Sequence, residues 1–77
     1  MNLKRTQEYK IIGLNIAYYR KLKGITQLQL AEAVNISRTH LSNIEAPNIH
    51  TSISLDTLLN IADFLEVPAM NLLNFNR

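Results

Sequence analysis

Between Ser37 and Ala46 the sequence sets Arg38, Thr39, Ser42 and Asn43 at a spacing that places them on one side of a helix, with Leu41 and Ile44 on the other. These are short or forked hydrogen-bonding groups. A guanidinium can engage O6 and N7 of guanine together, a carboxamide N6 and N7 of adenine, and a threonine offers thymine both a hydroxyl and a methyl. A major groove about 12 Å wide accepts a helix carrying such a face. The competing reading is a solvated surface. Against it, Thr39 and Asn43 are poor helix formers, and a cation in the first turn opposes the helix dipole, so helix stability alone does not account for the set.

Other chemistries find little support. His40 and His50 have no cysteine partner and no acidic group at ligand spacing, so no metal site is expected. No Ser-His-Asp or paired-carboxylate pattern stands out, and so small a chain has little room for a pocket. Neither an enzyme nor a cofactor-dependent protein is therefore expected. Tyr9 and Tyr19 read as inward-facing at helical spacing, leaving Tyr18 as the tyrosine exposed to solvent.

The elements that must position the polar face are all helical, which gives an all-α expectation. A first helix is predicted over Gln7 to Lys23, with Tyr9, Ile12, Ile16 and Tyr19 inward, cationic Arg20, Lys21 and Lys23 in its last turn, and Gly24 as its left-handed stop. Thr26-Gln27-Leu28-Gln29 forms a capping box that opens a second helix with Leu30, Ala31 and Val34 inward. Gln27 stands at its N-terminus, where free amides and the positive dipole end favour a phosphate. Asn35 tolerates the left-handed turn that closes this helix, and Ser37 caps a third over Arg38 to Glu45. After a polar loop from Ala46 to Ile53, Ser54 caps a fourth helix with Leu55, Leu58, Ile61, Ala62 and Leu65 as its inward stripe. Pro68 stands near the start of a short fifth helix, Ala69 to Leu73.

Seventy-seven residues, 47% of them hydrophobic, suit one domain spanning residues 1–77. A core of this size gives only about 3–5 kcal/mol of net stability. There is no cysteine to supplement it. The first ten residues, MNLKRTQEYK, are too polar for a signal peptide, and no apolar run has the length of a membrane span, so a soluble cytoplasmic protein is expected. The net charge of +2 is unevenly spread. Lys4, Arg5, Lys10, Arg20, Lys21 and Lys23 face only Glu8 in the first third, whereas Glu32, Glu45, Asp56, Asp63 and Glu66 outnumber Arg38 and Arg77 beyond it. The basic end suits a polyanion or an acidic surface, although a solvated charged face has the same composition.

Taken together, Ile12-Gly13-x-x-Ile16, Arg20, Gly24-Ile25-Thr26-Gln27-x-x-Leu30-Ala31, Ile36-Ser37-x-x-x-Leu41-Ser42-x-x-Glu45 and Leu58-x-x-Ile61-Ala62-x-x-Leu65-x-Val67 resemble the phage-repressor-type (Cro/cI, Xre-like) helix-turn-helix domain over about residues 9–74. The resemblance implies a five-helix, lambda-repressor-like fold in which the third helix reads bases and the second anchors on phosphate. By position it assigns Arg38, Thr39, Ser42 and Asn43 to base reading and Gln27 to a phosphate, and His40 faces DNA in some members. It also implies an ion pair between Arg20 and Glu45, a positioning device rather than a contact. Asn35 stands where the family usually has a glycine, Ala46-Pro47 replaces its common x-Gly, and the following loop is longer.

The implied function is sequence-specific binding of double-stranded DNA by a transcriptional regulator, more specifically a repressor. The rival is a protein-interaction adaptor or toxin-neutralising antitoxin on the same fold, which would more often present aromatic or large apolar anchors on the third helix. Val67, Met70, Leu72, Leu73 and Phe75 are apolar enough either to pack on the first and fourth helices or to form a homodimer contact.

Overall fold

Three of the helices end on the same local device. The computed structural model describes residues 5–49 and 51–75, and within them the elements are α1 (Thr6–Leu22), α2 (Gln27–Ala33), α3 (Arg38–Glu45), α4 (Leu55–Leu65) and α5 (Ala69–Leu72). Gly24, Asn35 and Glu66 adopt left-handed φ values of 71°, 60° and 58°. After each, the next amide reaches back into the last turn: Ile25 N–H to Arg20 O at 3.0 Å, Ile36 N–H to Ala31 O at 3.0 Å and Val67 N–H to Ala62 O at 3.1 Å. These are Schellman closures, which satisfy carbonyls the helix leaves orphaned. The residue after each is β-branched and packs, half-buried, against the core. Chain reversal and core burial are thus coupled three times.

The starts are equally local. Thr26 accepts from Gln29 N–H at 3.1 Å while the Gln29 side chain accepts from Thr26 N–H at 2.9 Å, closing the expected capping box. Ser37 Oγ accepts from His40 N–H at 2.9 Å and Ser54 Oγ from Thr57 N–H at 3.1 Å. Each such cap contributes about 1 kcal/mol. Helix bounds differ from expectation only at frayed ends: α1 starts at Thr6 and stops before Lys23, and α5 stops before Leu73.

The core is one cluster in which Ile12 and Ile16 of α1, Leu30 and Ala31 of α2, Leu41 and Ile44 of α3, Leu58, Ile61, Ala62 and Leu65 of α4, and Leu72 of α5 meet. α1 lies against α3, α4 and α5, and α2 bridges α3 and α4. Tyr9 and Tyr19 pack on the cluster, and Tyr18 is exposed, its ring edge-on to Tyr19 at 4.9 Å between centroids. Leu55, expected inward, is 65% exposed. It occupies the first residue after the cap, where the chain is still leaving a solvent-facing loop, so the buried stripe begins one turn later at Leu58. Val67 is half-buried and Leu72 fully buried, whereas Met70, Leu73 and Phe75 remain exposed.

Two polar or backbone features of α1 carry tertiary consequences. Asn15 is fully buried and donates from Nδ2 to Leu72 O at 3.0 Å and to Asn74 O at 3.1 Å, fastening the end of α5 to α1. Gly13 is buried where α1 crosses the end of α3. A Cβ there would overlap the Ile44 carbonyl oxygen and stand 3.0 Å from its carbon, so the crossing needs a glycine.

Candidate nucleic-acid interface

The polar face of α3 is presented by a helix whose other face is fixed. Leu41 and Ile44 are buried at 0% and 4% exposure, and Ser37 holds the first turn, so the rotation of α3 about its axis is set by the core. Arg38, Thr39 and Ser42 then face solvent and Asn43 is half-buried beside them. Together they line one shallow concavity of about 200 Å³. Arg38 makes no side-chain hydrogen bond or ion pair with the described residues, so its donors are available to a ligand. His40 is half-buried, and its recorded hydrogen bond is the backbone one to Ser37.

A second concavity of about 430 Å³ lies between the starts of α2 and α3, lined by Arg20, Thr26, Gln27, Leu28 and Arg38. Arg38 borders both. This places the N-terminus of α2, with its uncommitted amides, alongside the start of α3.

Beneath them runs a buried polar network. Arg20 Nε donates to Glu45 Oε2 at 2.8 Å and Nη2 to Glu45 Oε1 at 2.9 Å, a two-point pairing in which each residue is 8% exposed. Arg20 Nη1 donates to Ile25 O at 2.8 Å and Gln27 Nε2 to Glu45 Oε1 at 2.9 Å. One carboxylate therefore ties the end of α3 to α1 and to the start of α2, and Arg20 extends the link to the α1–α2 turn. A buried pair is stable only when its remaining donors and acceptors are met, and among the described residues no buried side-chain N or O atom lacks a partner. The Arg20–Glu45 pair implied by the resemblance is present in this geometry. Gln27, expected as a phosphate anchor, is half-buried and lines the second concavity, with one amide N–H donated to Glu45. The sequence carried no direct signal for that link, because it spans eighteen positions between two helices.

The wider charge pattern leaves Lys10, Lys21 and Lys23 of the α1 region exposed, while Arg5 pairs with Glu8 at 2.8 Å. The Glu8 hydrogen bond and charge raise the Arg5 pKa further above its ordinary value, so Arg5 stays cationic with its charge locally offset. Lys4, Arg77 and His50 lie outside the described residues. Among the described residues no three His, Cys, Asp or Glu side chains converge on a common point, and no helix is long and apolar enough to cross a membrane.

Residues 16–70 match the Helix-turn-helix family profile. The HTH-type transcriptional regulator SinR of Bacillus licheniformis is 38% identical over 64 residues, which cover 83% of this chain and 57% of that protein. The chain thus spans little more than half the length of this curated relative. A crystal structure of SinR, the master regulator for biofilm formation, in complex with DNA superposes with a TM-score of 0.74 at 36% identity, covering 82% of this chain and 98% of that one. The clp gene regulator ClgR of Corynebacterium glutamicum superposes with a TM-score of 0.79 at 26% identity, covering 84% and 67% respectively. With this order of five helices and this profile match, the chain belongs to the Cro/cI-type (Xre-like) helix-turn-helix family.

Proposed function

We propose that this chain, folded as one domain and working in the cytoplasm, binds double-stranded DNA sequence-specifically and represses transcription by laying α3 in the major groove. The observation that carries the reading is the polar face of Arg38, Thr39, Ser42 and Asn43 on a helix whose rotation is fixed from behind by Leu41, Ile44 and the Glu45 network. Those four residues read base edges, with His40 at the margin of the contact. Gln27 and the amides at the start of α2 meet a phosphate. The family assignment and the DNA-bound relative support the DNA-binding reading.

The protein acts as a homodimer. Support comes from Met70, 74% exposed, with Leu73 and Phe75 also exposed at the end of the fold, an apolar surface that a two-fold contact would cover. Two copies would then address half-sites about one DNA turn, ~34 Å, apart. Its chemistry is recognition rather than catalysis, as in the relatives named as transcriptional regulators.

Selection of bound duplexes from a random DNA pool tests the proposal, followed by titration of the enriched duplex at two salt concentrations. The expected result is a two-fold symmetric site whose affinity falls as salt rises, because released counterions drive phosphate contacts. Folded protein that enriches nothing overturns it.

A further inference from the structure

We propose that Glu45 is a positioning residue for anion recognition: it fixes the amide of Gln27 so that one N–H points into the protein and the second remains for a phosphate oxygen. The inference rests on the DNA-binding reading and deepens it at one atom. A carboxylate has only lone pairs to offer, so the group facing Glu45 Oε1 at 2.9 Å has to be the Gln27 NH2 and not its carbonyl. Flipping the amide would set two acceptors against each other in a site where Glu45 is 8% exposed. Arg20 holds both carboxylate oxygens, at 2.8 and 2.9 Å, which removes the freedom of Glu45 to follow a flipped partner. It also neutralises a charge that would otherwise repel a phosphate. The remaining N–H of Gln27 belongs to a side chain that lines the concavity shared with Arg38.

The sign of one substitution is diagnostic. Glu45→Gln removes a negative charge close to the binding face, and Coulomb's law alone would strengthen DNA binding. Positioning predicts the reverse, since a carboxamide accepts at one oxygen only and its NH2 must face a donor, Arg20 Nε in one orientation or Arg20 Nη2 and Gln27 Nε2 in the other, which disrupts the network that holds the Gln27 amide.

The experiment is a double-mutant cycle of Gln27→Met and Glu45→Gln, with binding to a short mixed-sequence duplex read at two salt concentrations and folding checked by thermal melting. Each single variant is expected to weaken binding about threefold to tenfold, the scale of one ordinary hydrogen bond. The double variant is expected to be no weaker than Gln27→Met. In free Glu45→Gln protein, the Gln27 side-chain amide resonances are expected to move. Tighter binding by Glu45→Gln, or an equal further loss in the Gln27→Met background, overturns the proposal while leaving DNA binding intact. Folded wild-type protein that does not bind the duplex overturns both.

Discussion

Replacing Gly13 by alanine isolates the contact that lets α1 and α3 cross so closely. On an isolated helix the change would stabilise by about 1 kcal/mol, because alanine loses less backbone freedom than glycine. Here the new methyl overlaps the Ile44 carbonyl oxygen, with Ile44 C at 3.0 Å and Glu45 Cα at 3.4 Å, and backbone cannot swing aside as a side chain can. α1 and α3 have to separate. Overpacking of this kind costs about 1–3 kcal/mol. The same displacement stretches the Arg20–Glu45 pairing, whose bonds of 2.8 and 2.9 Å connect these two helices, and a broken buried pair costs about 3–5 kcal/mol. With partial relaxation, a net loss of about 2–4 kcal/mol is expected, most of what a core of this size supplies. Gly24→Ala is the internal control. Its φ of 71° is unfavourable for alanine, but no atom lies within 4 Å of the new Cβ, so only about 1 kcal/mol is at stake. Urea titration followed by helical circular dichroism reads both. A Gly13→Ala midpoint equal to or above wild type, or above that of Gly24→Ala, would refute the crossing.

Asn15→Ala should destabilise by about 1–3 kcal/mol, leaving the Leu72 and Asn74 carbonyls without their donor, and amide hydrogen exchange should accelerate selectively around α5. Glu66→Gly should raise the melting temperature, gaining up to about 1 kcal/mol by relieving a left-handed non-glycine residue, whereas Asn35→Gly should change little because asparagine tolerates that conformation. Arg38→Ala should weaken binding of the enriched duplex by about 1–3 kcal/mol and relax preference at one base pair. An equal loss on every duplex, with a salt slope reduced by about one, would make Arg38 a phosphate contact instead.

Features whose cause is local were legible in the sequence. Thr26, Ser37 and Ser54 start helices because a side-chain oxygen meets an amide within the next turn, and Gly24 and Asn35 end them because their own φ is permissive. The outward set on α3 followed from the period that puts Leu41 and Ile44 inward. The stop at Glu66 was missed because its own type argues against a left-handed residue; the β-branched Val67 after it, matching Ile25 and Ile36 after the other two stops, was the signal present.

The sequence by itself thus determined where α2, α3 and α4 begin, how most of the helices end, and which face of α3 carries the hydrogen-bonding groups. Tertiary structure alone decided that Gly13 serves a helix crossing, that a buried asparagine on α1 holds α5, that Leu55 stays in solvent, and that Gln27 turns toward Glu45. The physical reason is the range of each cause. Caps and periodicity act within a turn or two of the same chain, whereas close approach, burial and the direction of a side-chain amide depend on atoms contributed by helices distant in sequence.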